Sequence, residues 1–248
     1  MRYAIFSDVH SNLEALTTVL DFFKKQNVDA YICCGDIIGY GPNPNECIET
    51  IRSIFRLNIV LGNHDAASCG LKDTTWFNEY AKMAIIWTRK NLTEPNRMYI
   101  ITLPRILTIP EENITISHGS PREPIDEYLL DKEQFIQNLQ YFNTKICFVG
   151  HSHVPVIFMY DIFTRISTFI KPVEGEKIKI QENYKYIINV GSVGQPRDSD
   201  PRACCVIYDT KNEEIEFFRL YYDFTKTQEK MYNCRLPSFL IERLAEGK

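Results

Sequence analysis

The fold of this chain is decided by residues 3–36, which read YAIFSDVHSNLEALTTVLDFFKKQNVDAYICCGD. Two short apolar runs, residues 3–6 and 30–34, have the length and the β-branched or aromatic content of buried strands. Between the two runs, apolar residues recur at the spacing of one helix face, at Leu13, Leu16, Leu20 and Phe23. The stretch therefore predicts a strand, an amphipathic helix and a second strand.

The predicted helices begin with recognisable signals. Ser11 and Glu14 have the spacing of a capping box at the start of the first helix. After the second strand, Asn43 and Pro44 are typical of a helix start, with Glu46 at the third helical position. Strands that alternate with helices in this way lie parallel, so the strand ends that lead into helices share one edge of the sheet. Ligands of such sheets bind at that edge.

The rest of the chain continues the α/β pattern. Further apolar runs predict strands at residues 58–61, 114–117, 146–149 and 186–190. Residues 76–91 have a helical pattern, residues 158–185 are typical of β-hairpins, and the segment from about 225 to 247 is helical, with an interruption near Pro237. Because no repeat, low-complexity stretch or linker divides the sequence, we expect one domain over residues 1–248.

Composition and charge limit the classes of function. The 248 residues are 44% hydrophobic and 24% charged, as in ordinary globular proteins. A net charge of -4 provides no general attraction for nucleic acid or an anionic membrane, so an anionic substrate needs a local positive charge, such as a metal ion. The apolar run before Asp8 is too short for a signal peptide or a membrane span.

The eight cysteines raise the question of disulfide bonds. Four of them are adjacent pairs inside apolar runs, Cys33 with Cys34 and Cys204 with Cys205, and neighbours in a strand point to opposite faces. No C-x-x-C spacing and no secretory signal accompany them. We therefore expect buried free thiols in a reducing compartment, and hence a cytoplasmic protein.

The histidines share a position that indicates a metal site. All five lie in the turn after an apolar run, in the company of carboxylates, amides or glycines. The clusters are Asp8-Val9-His10, Gly62-Asn63-His64-Asp65, His118-Gly119 and Gly150-His151-Ser152-His153, and a further strand end carries Gly35-Asp36. Five strand ends therefore direct side chains of the metal-ligand type to one edge.

In their order along the chain, these clusters match five sequence blocks, D-x-H, G-D, G-N-H-D/E, H-G and G-H-x-H. These are the blocks of the calcineurin-like metallophosphoesterase superfamily, which residues 5–153 therefore resemble. Residues 189–197, NVGSVGQPR, are similar to the closing segment of its bacterial and archaeal small phosphodiesterase branch. The resemblance implies an α/β fold, a four-layer α/β/β/α sandwich of two mixed sheets flanked by helices. It also implies a metal-dependent hydrolase of phosphomonoesters or phosphodiesters that uses a hydroxide activated by two metal ions.

Carried over by position, the resemblance assigns seven ligands to two metal ions that share Asp36. One ion would be held by Asp8, His10 and His153, and the other by Asn63, His118 and His151. Oxygen and imidazole ligands without thiolate favour Mn, Fe or Zn over a sulfur site or a calcium cage, and we expect Mn. Two such ions lower the pKa of a bridging water to roughly 7, so no serine or cysteine nucleophile is expected.

The resemblance places His64 beside the leaving-group oxygen as a general acid, and a structural histidine of the turn is the alternative. The second block departs from G-D-x-x-D-R-G of the phosphoprotein phosphatases, because Gly39 and Tyr40 replace its second aspartate and its arginine. This argues against a protein phosphatase of that branch. Arg197 or Arg122 could supply the missing phosphate contact, and Tyr40 could line the pocket or merely pack.

Two other functions fit the same fold. A non-catalytic scaffold, like the retromer subunit that resembles this family, would present its surface to protein partners. Such scaffolds lose ligands or the histidine of the third block, whereas all of these positions are filled here. A nuclease would need nucleic-acid-binding segments, and this chain has no basic run. We therefore expect a small-molecule or nucleotide phosphate ester as the partner, rather than a membrane or nucleic acid.

Overall fold

Twelve strands form two six-stranded sheets in the computed structural model, which describes residues 1–248. In chain order, β1 to β12 are Arg2–Phe6, Ala30–Cys33, Leu57–Ile59, Ile106–Ile109, Ile114–Ser117, Ile146–Val149, Val156–Asp161, Ser167–Ile170, Lys177–Lys179, Tyr184–Asn189, Ala203–Asp209 and Glu214–Leu220. The helices α1 to α8 are Leu13–Lys24, Pro44–Arg52, Asn63–Ser68, Glu79–Asn91, Glu94–Ile101, Lys132–Asn138, Phe224–Asn233 and Ser238–Glu242. Short 3-10 helices are Pro110–Glu112, Leu139–Tyr141 and Arg243–Ala245.

Both sheets are mixed. The first has the order β3-β2-β1-β11-β12-β9, in which β1, β2 and β3 are parallel and the remaining pairs are antiparallel. The second has the order β4-β5-β6-β10-β7-β8, in which β5, β6 and β10 are parallel. The parallel strands are those predicted from the apolar runs, so their carboxyl ends meet at one edge of each sheet.

The two sheets pack face to face and have helices on their outer sides. A cluster of 21 buried apolar residues, which includes Ile5, Ile116 and Phe148, joins the facing sides of the sheets. A second cluster packs α1 and α2 against the outer face of the first sheet, and Phe135 of α6 packs against the outer face of the second. The expected four-layer α/β/β/α sandwich is confirmed.

The start of α1 differs from the prediction. Asn12, not Ser11, is the N-cap, and its Oδ1 accepts a hydrogen bond of 3.1 Å from the backbone N–H of Ala15. The expected capping box with Glu14 is wrong, because Ser11 has a left-handed backbone and its N–H donates to the carbonyl of Ile37. The Nδ2 of Asn12 donates to Gly194 in the distant β10 loop, so this one side chain caps the helix and also braces the strand-end edge.

Other predicted elements change at their boundaries. The predicted helix over residues 76–91 begins only at Glu79, because Asn78 caps it. In the predicted hairpin region, β7 pairs with β8, whereas β9 pairs with β12 of the other sheet. The C-terminal helices are interrupted at Pro237 as expected. All eight cysteines are free, and seven of them are buried. No helix has the length and apolar character that a membrane span requires.

Candidate metal centre and substrate pocket

The predicted ligands come together at the carboxyl ends of five parallel strands. Asp8 and His10 follow β1, Asp36 follows β2, and Asn63 begins α3 just after β3. From the second sheet, the loops after β5 and β6 contribute three histidines, His118, His151 and His153. All seven side chains are buried, with at most 7% of their surface exposed. A ligand from either sheet therefore reaches the same space between the two sheet edges.

The backbone at this edge is unusual. Positive φ angles between 50° and 66° occur at five of the seven residues, namely Asp8, His10, Asp36, His151 and His153. Left-handed backbone is uncommon for residues other than glycine and costs of order 1–3 kcal/mol in sparsely populated regions. It persists where the surrounding contacts hold it, and here it turns the side chains inward. Such strain is typical of functional sites.

The first group of candidate ligands consists of Asp8, His10 and His153, whose ligand atoms all lie within 4.8 Å of one another. The Nε2 atoms of His10 and His153 are 3.1 Å apart, and Asp8 Oδ1 is 3.2 Å from Nε2 of His153. The other oxygen of Asp8 accepts a hydrogen bond from the N–H of His151 at 3.1 Å. Asp8 Oδ1 is buried without any hydrogen-bond partner.

The second group consists of Asp36, His118 and His151, again within 4.8 Å. Asn63 belongs to the same cluster, because its Oδ1 lies 3.2 Å from Nε2 of His118. Asp36 Oδ2 is 3.3 Å from Nε2 of His118 and 3.7 Å from Nε2 of His10, so it stands between the two groups. Like the free oxygen of Asp8, it is buried and has no hydrogen-bond partner.

Backbone carbonyls set the tautomers of the histidines. A carbonyl only accepts, so Nδ1–H of His118 donates to Cys34 O at 2.8 Å and Nδ1–H of His10 donates to Ile38 O at 3.2 Å. His153 donates in the same way to the carbonyl of Gln195. In the neutral ring, each Nε2 is then an unprotonated acceptor that faces the centre of the group.

His151 is held in the opposite orientation. Its Nε2–H donates to the carbonyl of Asp126 at 3.1 Å, which leaves Nδ1 facing Nε2 of His118 at 3.1 Å. With the imidazole rings neutral, the site therefore gathers imidazole lone pairs and two orphaned carboxylate oxygens, which are all acceptors. Buried acceptors that face one another require a cation, and this donor set of nitrogen and oxygen fits divalent transition metals. The residues present fit two metal ions.

In the absence of a metal ion, the charges of the site act on each other. Burial alone would raise the pKa of Asp8 and of Asp36. The neighbouring His153 outweighs this effect at Asp8, and His118 does so at Asp36, so both pKa values lie well below the usual range. Burial would lower the pKa of His118, but the Asp36 carboxylate raises it to about 9. Burial lowers the pKa of His151 to about 3. Both aspartates are therefore anionic and available to a cation at neutral pH.

His64 lies beside the metal groups without joining either. Its ring centroid is 4.9 Å from that of His10 and 4.2 Å from that of Tyr40. The Nδ1 atom is buried, lies against Gly39 and has no hydrogen-bond partner. Gly39 occupies the position of the second aspartate in G-D-x-x-D-R-G, so the orienting carboxylate is indeed missing. His64 lines the pocket, and its Nε2 makes no hydrogen bond within the protein.

Asp65 organises the turn that presents His64. Its Oδ1 accepts from the N–H of Ile38 at 3.0 Å and its Oδ2 accepts from the N–H of Gly62 at 3.1 Å. Burial and the nearby charge of Asp36 raise the pKa of Asp65 to about 7. A Cβ atom at Gly62 would overlap the carboxylate and backbone nitrogen of Asp36. The close contact between these two loops therefore requires glycine.

A cavity of about 650 Å³ opens above the metal groups and contains His64 and two predicted substrate contacts. Tyr40 lines its wall, and the Tyr40 Oη accepts a hydrogen bond of 3.3 Å from Nη2 of Arg197. Arg122 is not part of the cavity, because its guanidinium group is paired with Glu127 and hydrogen-bonded to Gln137. Of the two candidate arginines, the structure brings only Arg197 to the site.

Several lining residues were missed by sequence reasoning. Tyr128 stacks on His151 with a centroid distance of 3.9 Å. Other lining residues from distant segments are Lys72, Trp76, Phe77, Phe239 and Arg243. None of them follows a strand of the central sheets, so the strand-end pattern contains no signal for them. The exposure of an aromatic ring such as that of Trp76, which is 89% exposed, is visible only in the structure.

A four-layer fold with two His/Asp groups at one sheet edge defines the metallophosphoesterase class of hydrolases. The chain belongs to the calcineurin-like phosphoesterase superfamily, since the sequence model of that domain matches residues 1–213. An uncharacterized protein of Methanocaldococcus jannaschii is 40% identical over 254 residues, which cover 99% of this chain and 98% of the relative.

Solved structures agree with this assignment. The crystal structure of a metallophosphoesterase from Sphaerobacter thermophilus is 39% identical and has a TM-score of 0.89, and the match covers 100% of this chain and 99% of the other. A hypothetical protein from Pyrococcus horikoshii is 20% identical with a TM-score of 0.80, and covers 100% of this chain and 98% of its own. The second likeness concerns the fold alone.

Proposed function

We propose that the protein hydrolyses phosphomonoesters or phosphodiesters of small molecules or nucleotides at a centre of two divalent ions, with Mn²⁺ as the expected metal. The observation that carries the proposal is the pair of orphaned carboxylate oxygens, Asp8 Oδ1 and Asp36 Oδ2, each buried among imidazole nitrogens. Membership of the phosphoesterase superfamily supports the reaction class. Thiolates take no part, because the buried cysteines lie outside both groups.

The proposed division of ligands follows the two groups. One ion is assigned to Asp8, His10 and His153, the other to Asn63, His118 and His151, and Asp36 is shared by both. When bound, the two ions supply a hydroxide nucleophile from water and positive charge for the phosphate. Two ions carry four positive charges and the two aspartates remove two, so the centre accommodates a hydroxide and an anionic phosphate.

His64 is proposed as the proton donor to the leaving oxygen. In hydrolysis the phosphorus–oxygen bond to the leaving group breaks, and that oxygen takes up a proton. His64 lines the cavity, and we assign its Nε2, which makes no hydrogen bond within the protein, to the leaving oxygen of a bound ester. Burial lowers the pKa of His64 to about 4, against the opposing effect of Asp36. A bound phosphate brings negative charge to the ring and shifts this pKa upward, toward the protonated form that a proton donor needs.

Arg197 and Tyr40 are proposed as substrate contacts. The Nη2 of Arg197 donates to Gln195 Oε1 at 2.9 Å as well as to Tyr40, and its Nε is buried without a partner. Neither partner is an anion. The guanidinium group therefore retains an unbalanced charge and a free donor next to the metal groups, which suits a phosphate oxygen.

The proposal is tested by removing metal, adding back Mn²⁺ and assaying p-nitrophenyl phosphate beside bis-p-nitrophenyl phosphate. Asp36→Ala is expected to lose bound metal and turnover together, because Asp36 lies between the two groups. Asp21→Ala removes the same charge at an exposed position and is expected to retain both. A wild-type protein that binds metal yet turns over neither ester would refute the proposal and favour a non-catalytic scaffold.

The organisation and location of the chain form part of the same proposal. A single domain over residues 1–248 is supported by the apolar core that both sheets share. A cytoplasmic location is supported by the eight free cysteines, because disulfide bonds are rare in reducing compartments.

A further inference from the structure

One loop, residues 118–131 between β5 and α6, contacts two ligands of the second group. His118 is the first residue of the loop, and the ring of His151, from the loop after β6, lies against its far end. The side-chain hydrogen bonds of the first group go elsewhere, to Ile38, His151 and Gln195. The loop therefore contacts the ligands of one group and not those of the other.

The loop folds back on its own beginning. The backbone N–H groups of His118 and Gly119 both donate to the carbonyl of Pro124, at 3.0 and 2.7 Å. A Cβ atom at residue 119 would lie 2.9 Å from the backbone nitrogen of Glu127 and 3.0 Å from that of Asp126, which is closer than packed atoms allow. Glycine is therefore required where the end of the loop crosses its start. This crossing brings residues 126–128 to the metal edge.

Two contacts at the end of the loop orient the His151 ring. The carbonyl of Asp126 accepts a hydrogen bond from Nε2–H of His151 at 3.1 Å, so Nδ1 is the nitrogen that faces the second group. The Tyr128 ring stacks on the same imidazole, with a centroid distance of 3.9 Å and an interplanar angle of 28°. The hydrogen bond determines which nitrogen carries the proton, and the stacked ring determines the plane of the imidazole.

Glu127 lies between these two contacts and anchors the end of the loop. Its carboxylate accepts hydrogen bonds from Arg122 and Ser120 of the same loop and from Nδ2 of Asn138 in α6. Asn138 in turn accepts from the N–H of Arg122 at 2.9 Å through its Oδ1. The Glu127 side chain is only 11% exposed, so these charge-assisted hydrogen bonds are largely shielded from water. The backbone on either side of Glu127 is therefore fixed relative to α6.

We propose that Glu127 and Tyr128 are positioning residues for the second metal ion. Glu127 fixes the end of the loop, and the Asp126 carbonyl and the Tyr128 ring then hold His151 with Nδ1 toward the ion. The inference rests on the proposed function, since it takes His151 as a ligand of that ion. Hydrogen-bond partners of metal-binding histidines typically contribute about 10–100-fold to metal affinity. Loss of these contacts is expected to weaken the second ion and not the first.

The test measures the two ions separately and without substrate. Anomalous diffraction from crystals soaked at graded Mn²⁺ concentrations gives the occupancy of each group. Glu127→Gln keeps the size of the side chain and removes the charge that pairs with Arg122. Half occupancy of the second group is expected to need about 10–100-fold more Mn²⁺ than in wild type, whereas the first group fills as in wild type. Glu123→Gln makes the same change at an exposed position of the same loop and is expected to match wild type.

Two variants of Tyr128 test the stacked ring. Tyr128→Phe keeps the ring and is expected to fill both groups like wild type. Tyr128→Leu removes the flat face and is expected to weaken the second ion alone. Tyr128 is 42% exposed, so its replacement leaves no closed cavity in the core. These variants keep the inference testable if Glu127→Gln does not fold.

A second measurement needs no metal ion. In the metal-free protein with ¹⁵N-labelled histidine, nuclear magnetic resonance identifies the ring nitrogen that carries the proton, and His151→Asn assigns the signal of His151. Wild type is expected to carry this proton on Nε2, where the Asp126 carbonyl accepts it. In Glu127→Gln the carbonyl is no longer fixed, so a share of the molecules is expected to carry the proton on Nδ1. A general loss of stability would not move this proton.

The outcomes separate the inference from the proposed function. Wild-type occupancy of the second group in Glu127→Gln or Tyr128→Leu would overturn the role assigned to that residue. An equal loss of both ions would also overturn it, because the loop would then act on the whole centre. If the second ion alone is weakened but wild type hydrolyses no phosphate ester, the proposed function fails and the inference stands. If esters are hydrolysed and both variants fill like wild type, the inference fails alone.

Discussion

Metal binding at this centre is predicted to release a proton and to tighten as the pH rises. The group responsible is His118, whose Nε2 lies 3.3 Å from Asp36 Oδ2 and whose pKa the carboxylate raises to about 9 against the effect of burial. At pH 7 the metal-free ring is therefore protonated. The other three candidate histidine ligands are His10, His151 and His153. Burial lowers the pKa of each, so these rings are neutral at pH 7.

The size of the pH effect on metal affinity depends on how far the working pH lies below the pKa of His118. A metal ligand must be unprotonated, so binding displaces about one proton from His118. Each pH unit below about 9 then costs about 1.4 kcal/mol of binding free energy, a tenfold loss of affinity, or about a hundredfold between pH 9 and pH 7. The sign is fixed because the bound form lacks the proton: affinity rises with pH and levels off above about 9.

Calorimetric titration of Mn²⁺ into the metal-free protein, in two buffers of different ionisation enthalpy at pH 7, measures the number of protons released. His118→Asn is expected to release about one proton fewer than wild type, because the proton given up by metal-bound water is common to both proteins. His64→Ala is the matched control, because His64 is neutral and lies outside both ligand groups. Zero proton release by wild type, or an affinity that does not change between about pH 7 and pH 9, would refute this account of the Asp36 and His118 pair.

Three other predictions concern single side chains. His64→Ala is expected to keep both metal ions and to lose about 10²–10⁴-fold in kcat, the usual contribution of a general acid, and full turnover would remove it from that role. Arg197→Ala is expected to raise KM at constant metal content, whereas an unchanged KM would show that the arginine does not contact substrate. Gly62→Ala places a Cβ atom against Asp36 and is expected to lose bound metal and about 1–3 kcal/mol of stability in denaturant unfolding. The control is Gly70→Ala, where the Cβ atom meets open space, and it is expected to keep its metal content. Full metal binding by Gly62→Ala would contradict the close fit of the two loops.

The ligand positions could be predicted from the sequence because they depend on local pattern and on one general rule. Short apolar runs mark the parallel strands, and the residues just after them, such as Asp8, Asp36 and His118, meet at one edge wherever the strands pair. The tautomers of the ligand histidines do not follow from this rule about strand ends and are known only from the structure. These depend on carbonyls of other strands and loops, as in the contact of His118 with Cys34.

The pairing of the sheets and the outer pocket could not be predicted in this way. β11 lies beside β1, with Arg2 opposite Asp209, and no local pattern links two strands so far apart in the chain. Arg243 and Phe239 lie on short helices, and the sequence predicts that the segment is helical but not which surface it covers. Their place above the metal groups follows from packing with Tyr40, which is a tertiary contact.

The central claim is that two metal ions occupy the two His/Asp groups and share Asp36. Anomalous diffraction from crystals of the Mn²⁺-loaded protein tests it most directly. The account predicts two manganese peaks, about 3.5–4 Å apart as in other two-metal sites, one among Asp8, His10 and His153 and the other among Asn63, His118 and His151. A single peak, or manganese bound away from these residues, would contradict it.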